Sequence, residues 1–445
     1  MNTQTTEANP SGASATKTDL SSRVYYGEYS LRHWIDLLLG KNIVLPDYQR
    51  SFVWSEKDLK RLISAMQARQ FVQPVTIAQF APKGESRKNL ILDGQQRLTS
   101  ILLACLSYIP RRDKAPEPET IAKEGEPPED EAVPDGETDG PNDGPERTNR
   151  KSIKWTFEKL LDFGNTVEGV RGKIQSEGSY EPLKDLVVEN DFFETTFLGF
   201  SYIVPDSDDK TAIVKAYSQI FRNMNYFGSK LSLLESRRSR YYMVEDMVKF
   251  FEGKTEEGEE IFGNLKILEE MKPCKIDFVR YLAILSQYEG SGRKGDKVLL
   301  GYSSYASREG FYADYVSYVQ GLEQEDRPDK FGSFRFETTF AGNSCKDRYK
   351  ELSEALKRLD NKIPRGKTGA LESWIDADYW LFGLMYYIVF IGNKLNDDIK
   401  DLDQELTSAT NEKKDDSAYT KAPNRLMNLR TRLVDSIRIY QRYVH

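Results

Sequence analysis

Hydrophobic and polar positions in the first hundred residues recur with the spacing of short helices and strands. Apolar residues recur every three or four positions in Leu31–Leu39 and again after Ser55. Such spacing predicts helices with one buried face. Asp58, three positions after Ser55, completes the pattern of a capping box at a helix start. The buried stripe of this second helix is predicted to consist of Leu59, Leu62, Ile63 and Met66.

Short apolar runs predict strands between and after these helices. They are Ile43–Leu45, Gln73–Phe80 and Asn89–Leu92. The last run leads directly into a further predicted helix, whose buried positions are Leu98, Ile101, Leu102, Cys105 and Leu106. Because helices and strands alternate over so short a distance, we predict a compact α/β unit.

Beyond residue 150 the pattern becomes mainly helical. We expect a strand and a turn in Ile153–Leu161, a strand in Phe197–Val204, a helix in Asp209–Tyr226 and further helix in Ser232–Phe251. The later helical segments are Ile276–Gln287, Tyr312–Leu322, Asp347–Leu359, Ser373–Leu395 and Asn424–Tyr443. We therefore predict an α/β (α+β) N-terminal domain, residues 23–253, followed by a mostly α-helical C-terminal domain, residues 254–445.

Two segments lack the apolar residues that a core requires. Residues 1–22 are rich in Thr, Ser and Ala and are expected to form a disordered tail, not a secretory signal. Residues 113–146 contain 13 acidic residues, 2 basic residues and seven prolines, so we expect a disordered acidic insertion at 113–147. Its role is either that of a solvated spacer, which we favour, or mimicry of nucleic acid and autoinhibition of a basic groove.

The acidic insertion changes the meaning of the net charge. Removing its −11 from the −7 of the whole chain leaves about +4 for the rest. A mildly basic body leaves binding of phosphate or nucleic acid open without demanding it.

Cysteine spacing and hydropathy indicate the cellular compartment in which the protein acts. Cys105, Cys274 and Cys345 lie far apart and lack the spacing of zinc ligands, so we predict a reduced, cytoplasmic setting. The longest apolar stretch, Tyr379–Gly392, is shorter than the roughly 20 residues that span a bilayer. We expect a buried core helix there and no membrane partner.

The polar junction after Leu92 is the strongest candidate for chemistry. Gly94 permits a sharp turn and close approach of a ligand, and the amides of Gln95 and Gln96 begin a helix, where an anion is favoured. Arg97 can fork onto a phosphate, and Asp93 can coordinate Mg²⁺. The alternative is a polar turn in which Asp93 caps the helix and Arg97 is solvated.

A second polar segment spans Leu45–Trp54. Arg50 offers another phosphate fork, and Tyr48 and Trp54 can stack on a base. For Trp54 we favour a core anchor, whereas for Gln49 and Arg50 ligand binding and a structural role are both open.

Three ordered motifs carry a resemblance to a known family. They are Leu45-Pro46-Asp47-Tyr48-Gln49-Arg50 with Trp54, then Leu92-Asp93-Gly94-Gln95-Gln96-Arg97-Leu98, then Ile220-Phe221-Arg222-Asn223-Met224-Asn225 with Gly228, Leu231, Ser232 and Glu235. Together they resemble the N-terminal domain of GmrSD-type modification-dependent restriction proteins, the domain-of-unknown-function 262 family. Met224 departs from the family pattern, which has Leu or Ile there.

This resemblance implies a ParB/sulfiredoxin-like α/β core that binds nucleotide phosphates at the D-G-Q-Q-R turn. Family members are implied to hydrolyse nucleoside triphosphates and to sense modified phage DNA. By position, the resemblance implies Asp93 and Arg97 as catalytic residues, with Asp93 as the Mg²⁺ ligand. The nucleotide-binding residues that it implies are Tyr48, Gln49, Arg50, Gly94, Gln95, Gln96, Asn225 and Gly228.

One departure from the family is large. Fused relatives end in an H-N-H-type nuclease domain, which needs histidines as general base and metal ligand. This chain has only His33, beside Trp34 on the first helix, and His445, expected to be mobile. We therefore expect no H-N-H nuclease activity from it, and cleavage would need a separate nuclease subunit.

Two sets of residues in the C-terminal part are candidates for nucleic-acid contacts. We favour a core role over base stacking for Trp374, Trp380, Tyr386 and Tyr387. For the arginines of the last helix we favour a solvated face over a track along a nucleic-acid backbone. These arginines are Arg425, Arg430, Arg432, Arg438 and Arg442.

The favoured hypothesis is a component of a bacterial restriction or antiphage defence system. It would bind, and hydrolyse, a nucleoside triphosphate with Mg²⁺ to gate recognition of DNA. One alternative is a non-enzymatic nucleotide- or DNA-binding regulatory module, and another is a nuclease that acts through the ParB-like core. The nucleotide, the DNA modification and the oligomeric state, including a homo-oligomer, stay open.

Overall fold

The computed structural model describes residues 22–45, 52–80, 88–112, 121–122, 155–205, 216–217, 220, 233–242, 244–299, 305–322 and 330–445. The tail at 1–21, nearly all of the acidic insertion and most of the helix predicted at 209–226 lie outside these residues.

Strands and helices alternate in the N-terminal part, and helices predominate from residue 233 on. The strands are β1 (Ser22–Ser30), β2 (Ile43–Val44), β3 (Val75–Phe80), β4 (Lys88–Asp93), β5 (Tyr108–Pro110), β6 (Tyr180–Pro182), β7 (Phe197–Pro205), β8 (Lys266–Glu269) and β9 (Lys272–Lys275). The α-helices are α1 (Leu31–Leu39), α2 (Glu56–Gln67), α3 (Gln95–Leu106), α4 (Val167–Ile174), α5 (Asn190–Thr195), α6 (Leu233–Ser239), α7 (Glu245–Glu252), α8 (Phe278–Gly290), α9 (Tyr305–Val319), α10 (Phe336–Thr339), α11 (Ser344–Leu359), α12 (Trp374–Met385), α13 (Leu402–Asp415), α14 (Ser417–Lys421) and α15 (Leu426–Tyr440). The structure confirms the predicted fold class: a mixed α/β N-terminal region followed by a mostly helical C-terminal region.

A five-stranded mixed sheet organises the N-terminal region, with strand order β1-β7-β3-β4-β2. Strand β3 runs parallel to β7 and antiparallel to β4, while β2 runs parallel to β4. Because β3 and β4 are antiparallel, the start of β3 and the end of β4 meet at one end of the sheet, where Thr76 pairs with Asp93. This end of the sheet positions the junction.

Both faces of the sheet are covered, and side chains alternate between them as a strand requires. Ile77 and Ile91 face the larger core, which α1, α2 and α3 also line. Ala78 and Leu90 face the opposite side, where Tyr217 covers them. The central strands are therefore buried on both faces.

Helix α2 forms for the reasons that the sequence indicated. The Ser55 Oγ accepts from the Asp58 amide at 3.3 Å, and the Asp58 carboxylate accepts from the Ser55 amide at 2.9 Å. The predicted stripe Leu59, Leu62, Ile63 and Met66 is buried. Each such apolar side chain stabilises the fold by about 1.5–3 kcal/mol relative to its exposed state.

Helix α3 is buried on every side, beyond the single face that its pattern predicted. Its apolar residues lie in the core as expected, but Gln95, Gln96 and Arg97 are also less than 10% exposed. The polar first turn is thus enclosed by protein, and its side chains require internal or ligand partners.

The C-terminal region has its own aromatic core, built largely on α8, α12 and α15. Trp374, Trp380 and Tyr386 are buried there and Tyr387 packs against them, which confirms the expected core role. None of the described helices combines the length and the apolar composition needed to cross a bilayer.

Several sequence predictions of secondary structure are wrong. Phe157–Asp162 is a 3₁₀ helix, where a strand and a turn were expected. The helix expected over Ser232–Phe251 is two helices, α6 and α7, because the chain reverses between them so that Arg238 and Tyr241 both reach Glu252. In one straight helix, residues 238 and 252 would lie about 21 Å apart.

The other helix boundaries also differ from the prediction in places. The segment Ser373–Leu395 is α12 followed by a π-helix, Tyr386–Ile391, which ends at Gly392. The β8–β9 hairpin was not predicted, and Ala122, from within the acidic insertion, donates its amide to the Lys275 carbonyl at 2.9 Å.

The arginines of the last helix do not form one solvated row. Arg432 is fully buried, because it pairs with Asp378 on the adjacent α12. The sequence spacing of the two residues does not reveal this contact. Arg430 donates to the Val298 carbonyl, Arg438 pairs with Asp435, and Arg442 pairs with Glu405.

Candidate functional site

The turn between β4 and α3 requires glycine. Gly94 has φ +99° and ψ 9°, in the left-handed region, and the helix begins directly after it. A Cβ at this position would lie 2.4 Å from Val75 Cγ1. The backbone therefore packs against the start of β3, an approach that only a residue without a side chain permits.

Arg97 joins the two strand ends. Its Nη2 lies 2.6 Å from Asp93 Oδ2, and its Nη1 donates to the carbonyls of Gln73 and Pro74, the latter at 3.1 Å. The interpretation in which Arg97 is solvated is therefore wrong, since these acceptors enclose the guanidinium. A cation in the first helical turn is unfavourable, and Asp93 compensates for it.

Gln96 holds the end of the second polar segment. Its Oε1 accepts from the Val53 amide at 3.0 Å and from the Trp54 amide at 3.3 Å. From the other side, Arg112 Nη2 donates to the carbonyls of Val53 and Trp54 at 2.9 and 2.8 Å. Trp54 is half-buried and packs against the core, as expected of an anchor.

Gln95 differs from its neighbour. It is 6% exposed, and its buried Nε2 has no hydrogen-bond partner among the described residues. A buried donor without an acceptor costs about 1–3 kcal/mol, so native structures rarely leave one unpaired. The amides of the first helical turn likewise lack intrahelical acceptors. Side-chain and main-chain donors thus meet at one helix start.

Comparison with known proteins gives this region a family. Residues 35–242 match the sequence profile described as the GmrSD restriction endonuclease, N-terminal domain. Residues 35–242 form a GmrSD-type N-terminal domain. The match extends from α1 to the end of α6 and its following turn, so the GmrSD-type domain contains the junction and all three motifs.

One curated relative of this chain is the uncharacterized protein MJ0686 of Methanocaldococcus jannaschii. It is 30% identical over 109 residues, which cover 20% of this chain and 16% of the relative. The chain thus aligns with less than a fifth of that protein's length. No solved structure matches the chain.

Only part of the predicted site in the GmrSD-type domain lies within the described residues. Asp93, Gly94, Gln95, Gln96 and Arg97 come together with the main chain of residues 53–54. The predicted ligand residues outside the described part are Tyr48, Gln49, Arg50, Asn225 and Gly228. From the third motif, Ile220 packs on the second face of the sheet and Glu235 is buried in α6.

Some contributors to the junction were missed by sequence reasoning. Gln73 and Pro74 act through their carbonyls, for which no side-chain pattern exists. Arg112 follows β5 as the second of two arginines, a signal that marks a polar segment but not its contact.

The two histidines of the chain make structural contacts. The ring of His33 lies 4.5 Å from that of Tyr29. His445 exchanges two main-chain hydrogen bonds with Lys394, and its Nδ1 lies 2.6 Å from Asn396 Oδ1. The expectation of a mobile His445 is wrong, because these contacts hold it.

The carboxylates of the GmrSD-type domain bear on metal binding. Within the part of the chain that the structure describes, no three or more His, Cys, Asp or Glu residues cluster to hold a metal ion. Mg²⁺ shared with substrate phosphates needs only one or two protein carboxylates. Asp93, whose side chain is 20% exposed, supplies one beside the helix start.

Proposed function

We propose that this chain is a component of a restriction or antiphage defence system. Its GmrSD-type domain would bind a nucleoside triphosphate with Mg²⁺ at the Asp93–Arg97 junction and hydrolyse it, so that nucleotide state gates recognition of DNA. The match of residues 35–242 supports the defence role, since the family's description names a restriction endonuclease.

The observation that carries the nucleotide proposal is the buried Gln95 Nε2 at the start of α3. It needs an acceptor, and the described residues offer none. Beside it, Gly94 brings bare main chain to the start of a twelve-residue helix, whose amides and dipole favour an anion. A phosphate oxygen would suit this position, because it is a charged acceptor for both side-chain and main-chain N–H groups.

Each residue of the junction would have a separate role in nucleotide binding. Gly94 permits the sharp turn that begins the helix, and Gln95 would donate to the phosphate from its side chain. Asp93 is the carboxylate available to Mg²⁺, which would neutralise charge on the phosphates. Arg97 holds Asp93 and the start of β3 in place, a positioning role that differs from the phosphate fork expected from sequence.

A second candidate, a nucleotide sensor without turnover, has one observation in its favour. The Asp93 carboxylate is bound to Arg97, and the guanidinium is itself fixed by two carbonyls. A carboxylate held in this way is less available to orient an attacking water. Binding and hydrolysis therefore have to be measured separately.

The experiment is a phosphate-release assay on the purified chain with Mg²⁺ and each of ATP, GTP, CTP and UTP, without DNA and with plain or modified DNA. We expect release with at least one nucleotide and a loss of about 100-fold or more in Asp93→Asn. The matched control is Asp36→Asn, which removes an exposed i,i+4 Arg–Asp pair on α1 and should not alter release.

Three outcomes separate the candidates. Release that depends on Asp93 and not on Asp36 supports the hydrolase. Saturable nucleotide binding without release selects the sensor. Absence of both binding and release with all four nucleotides, whether or not DNA is present, refutes the proposal. A separate nuclease subunit is part of the proposal, and cleavage of DNA by the chain alone would contradict that part.

A further inference from the structure

Two adjacent glutamines at the start of α3 use their side chains in opposite ways. Both are more than nine-tenths buried. Gln96 Oε1 accepts from the amides of Val53 and Trp54, whereas Gln95 Nε2 lacks a partner among the described residues. Gln95 and Gln96 are both buried glutamines. The difference in their hydrogen bonds therefore comes from the residues that surround each side chain.

We propose that Gln96 is a positioning residue that fastens residues 53–54 to the junction, and that Gln95 is the side chain that contacts the ligand. The first half stands on the contacts alone, while the second rests on the proposed function. This assignment separates two residues that the sequence motif presents as equivalent.

The side-chain oxygen of Gln96 already accepts two hydrogen bonds, one for each lone pair. A side-chain carbonyl has two lone pairs, and here each accepts one main-chain N–H, at 3.0 and 3.3 Å. That oxygen therefore cannot also accept from a ligand without releasing Val53 or Trp54. By contrast, the Gln95 Nε2 atom donates no hydrogen bond to the described residues.

Residues 52–54 are held at several points, and one of these belongs to the junction. The Phe52 amide donates to the Trp155 carbonyl at 2.8 Å, and Arg112 binds the carbonyls of Val53 and Trp54. Of these anchors, Gln96 alone lies on the helix that begins at Gly94. Gln96 therefore connects the start of α3 to residues 53–54, which directly follow the motif that contains the predicted ligand residues.

The first test measures amide hydrogen exchange at Val53 and Trp54 without nucleotide, at single-residue resolution by mass spectrometry. We expect Gln96→Leu, which keeps the bulk but removes the acceptor, to raise exchange about tenfold at both amides. Gln96→Glu should preserve protection, because a carboxylate accepts both N–H groups and suits a helix start. Gln95→Leu, the matched control one residue away, should leave exchange unchanged.

The second test measures binding of Mg²⁺-tripolyphosphate, a probe that carries no base. We expect Gln95→Leu to weaken binding about tenfold, and Gln96→Leu to weaken it in a way that Gln96→Glu restores. A purely structural role for both residues would instead make Gln95→Leu and Gln96→Leu similar in both tests.

Each result bears on a separate claim. Unchanged exchange in Gln96→Leu, equal exchange increases in both leucine variants, or failure of Gln96→Glu to protect the two amides overturns the positioning role. If the wild-type chain binds no tripolyphosphate or nucleotide, the proposed function fails while the exchange pattern still decides the role of Gln96. Should Gln96→Leu not fold, Gln96→Ala removes the same acceptor with less bulk.

Discussion

The N-terminal and C-terminal regions each contain a cluster of aspartate and arginine, and the two clusters differ in burial and in the number of charged groups that meet. At the junction, Asp93 pairs with Arg97 at 2.6 Å and keeps 20% of its side chain exposed. In the helical C-terminal region, Asp378 is fully buried and accepts from Arg280 at 2.6 and 3.1 Å and from Arg432 at 2.9 Å.

The helical cluster is closed by further contacts. Tyr281 donates its hydroxyl to Asp378 at 3.1 Å, and the Arg280 guanidinium lies 4.5 Å from the ring centroid of Trp374. Burial alone would lower the pKa of Arg432, but Asp378 and Tyr419 raise it above its usual value. Each charge in this cluster has a partner of opposite sign inside the protein.

The two clusters show how a structural charge cluster differs from a candidate ligand site. In the helical region Asp378 accepts from both guanidinium groups, so the buried charges are balanced within the protein. At the junction, the Asp93–Arg97 pair lies beside the Gln95 amide, whose donor is unpaired within the described residues. The candidate site is therefore distinguished by the combination of an unpaired side-chain donor, a helix start and a partly exposed carboxylate, and not by the ion pair alone.

The largest effect is expected from Asp378→Asn in the closed cluster. This change leaves two fully buried arginines without their counter-charge, and removing one partner of a buried pair costs about 3–5 kcal/mol. Chemical denaturation followed by circular dichroism measures the loss. Glu259→Gln removes an exposed pair with Lys357 and should cost less than about 1 kcal/mol. Equal effects of the two changes would contradict the comparison.

A smaller effect is expected from Gly94→Ala at the open site. Both the left-handed φ and the clash with Val75 oppose an alanine, and strain of this kind costs about 1–3 kcal/mol. Gly258→Ala is the control, since its φ is +87° but its Cβ would meet nothing within 4 Å. Denaturation should show Gly94→Ala to be the more destabilising. The reverse order would mean that the main chain at Gly94 is not tightly packed.

The smallest effect concerns two cysteine thiols, of which Cys105 is buried and Cys345 is half-buried. Burial raises the pKa of Cys105 to about 11 and that of Cys345 to about 12. Since the folded pKa exceeds the unfolded one, each thiol's contribution to stability is present below about pH 9 and is lost as pH rises through the folded pKa. At pH 8 we expect Cys105 to be alkylated about 100-fold more slowly in the native than in the denatured chain. Equal rates would disprove its burial.

Sequence patterns correctly predicted structural features that depend on residues close together in the chain. The capping box at Ser55 and Asp58 needs residues three apart, and the strand-to-helix turn at Gly94 needs one glycine. Both were predicted from sequence and are found. The reversal between α6 and α7 was missed, because it depends on Glu252 reaching back to Arg238 and Tyr241.

Contacts between distant residues decided the rest of the site. Arg432 was placed on a solvated face, but Asp378, 54 residues away, buries it. Likewise the motif presents Gln95 and Gln96 as equals, and the main chain of Val53 and Trp54, more than 40 residues earlier, distinguishes them. Sequence identified the residues that matter at the junction, whereas their separate roles follow from the three-dimensional structure.

Calorimetric titration of the wild-type chain and of Gln95→Leu with the four Mg²⁺-nucleoside triphosphates tests the central claim most directly. We expect saturable binding of at least one triphosphate to the wild type. We expect at least a tenfold weaker affinity in Gln95→Leu, the cost of one lost hydrogen bond to a charged acceptor. No heat of binding with any of the four, or the same affinity in both proteins, would contradict the assignment of the unpaired Gln95 amide as a phosphate contact.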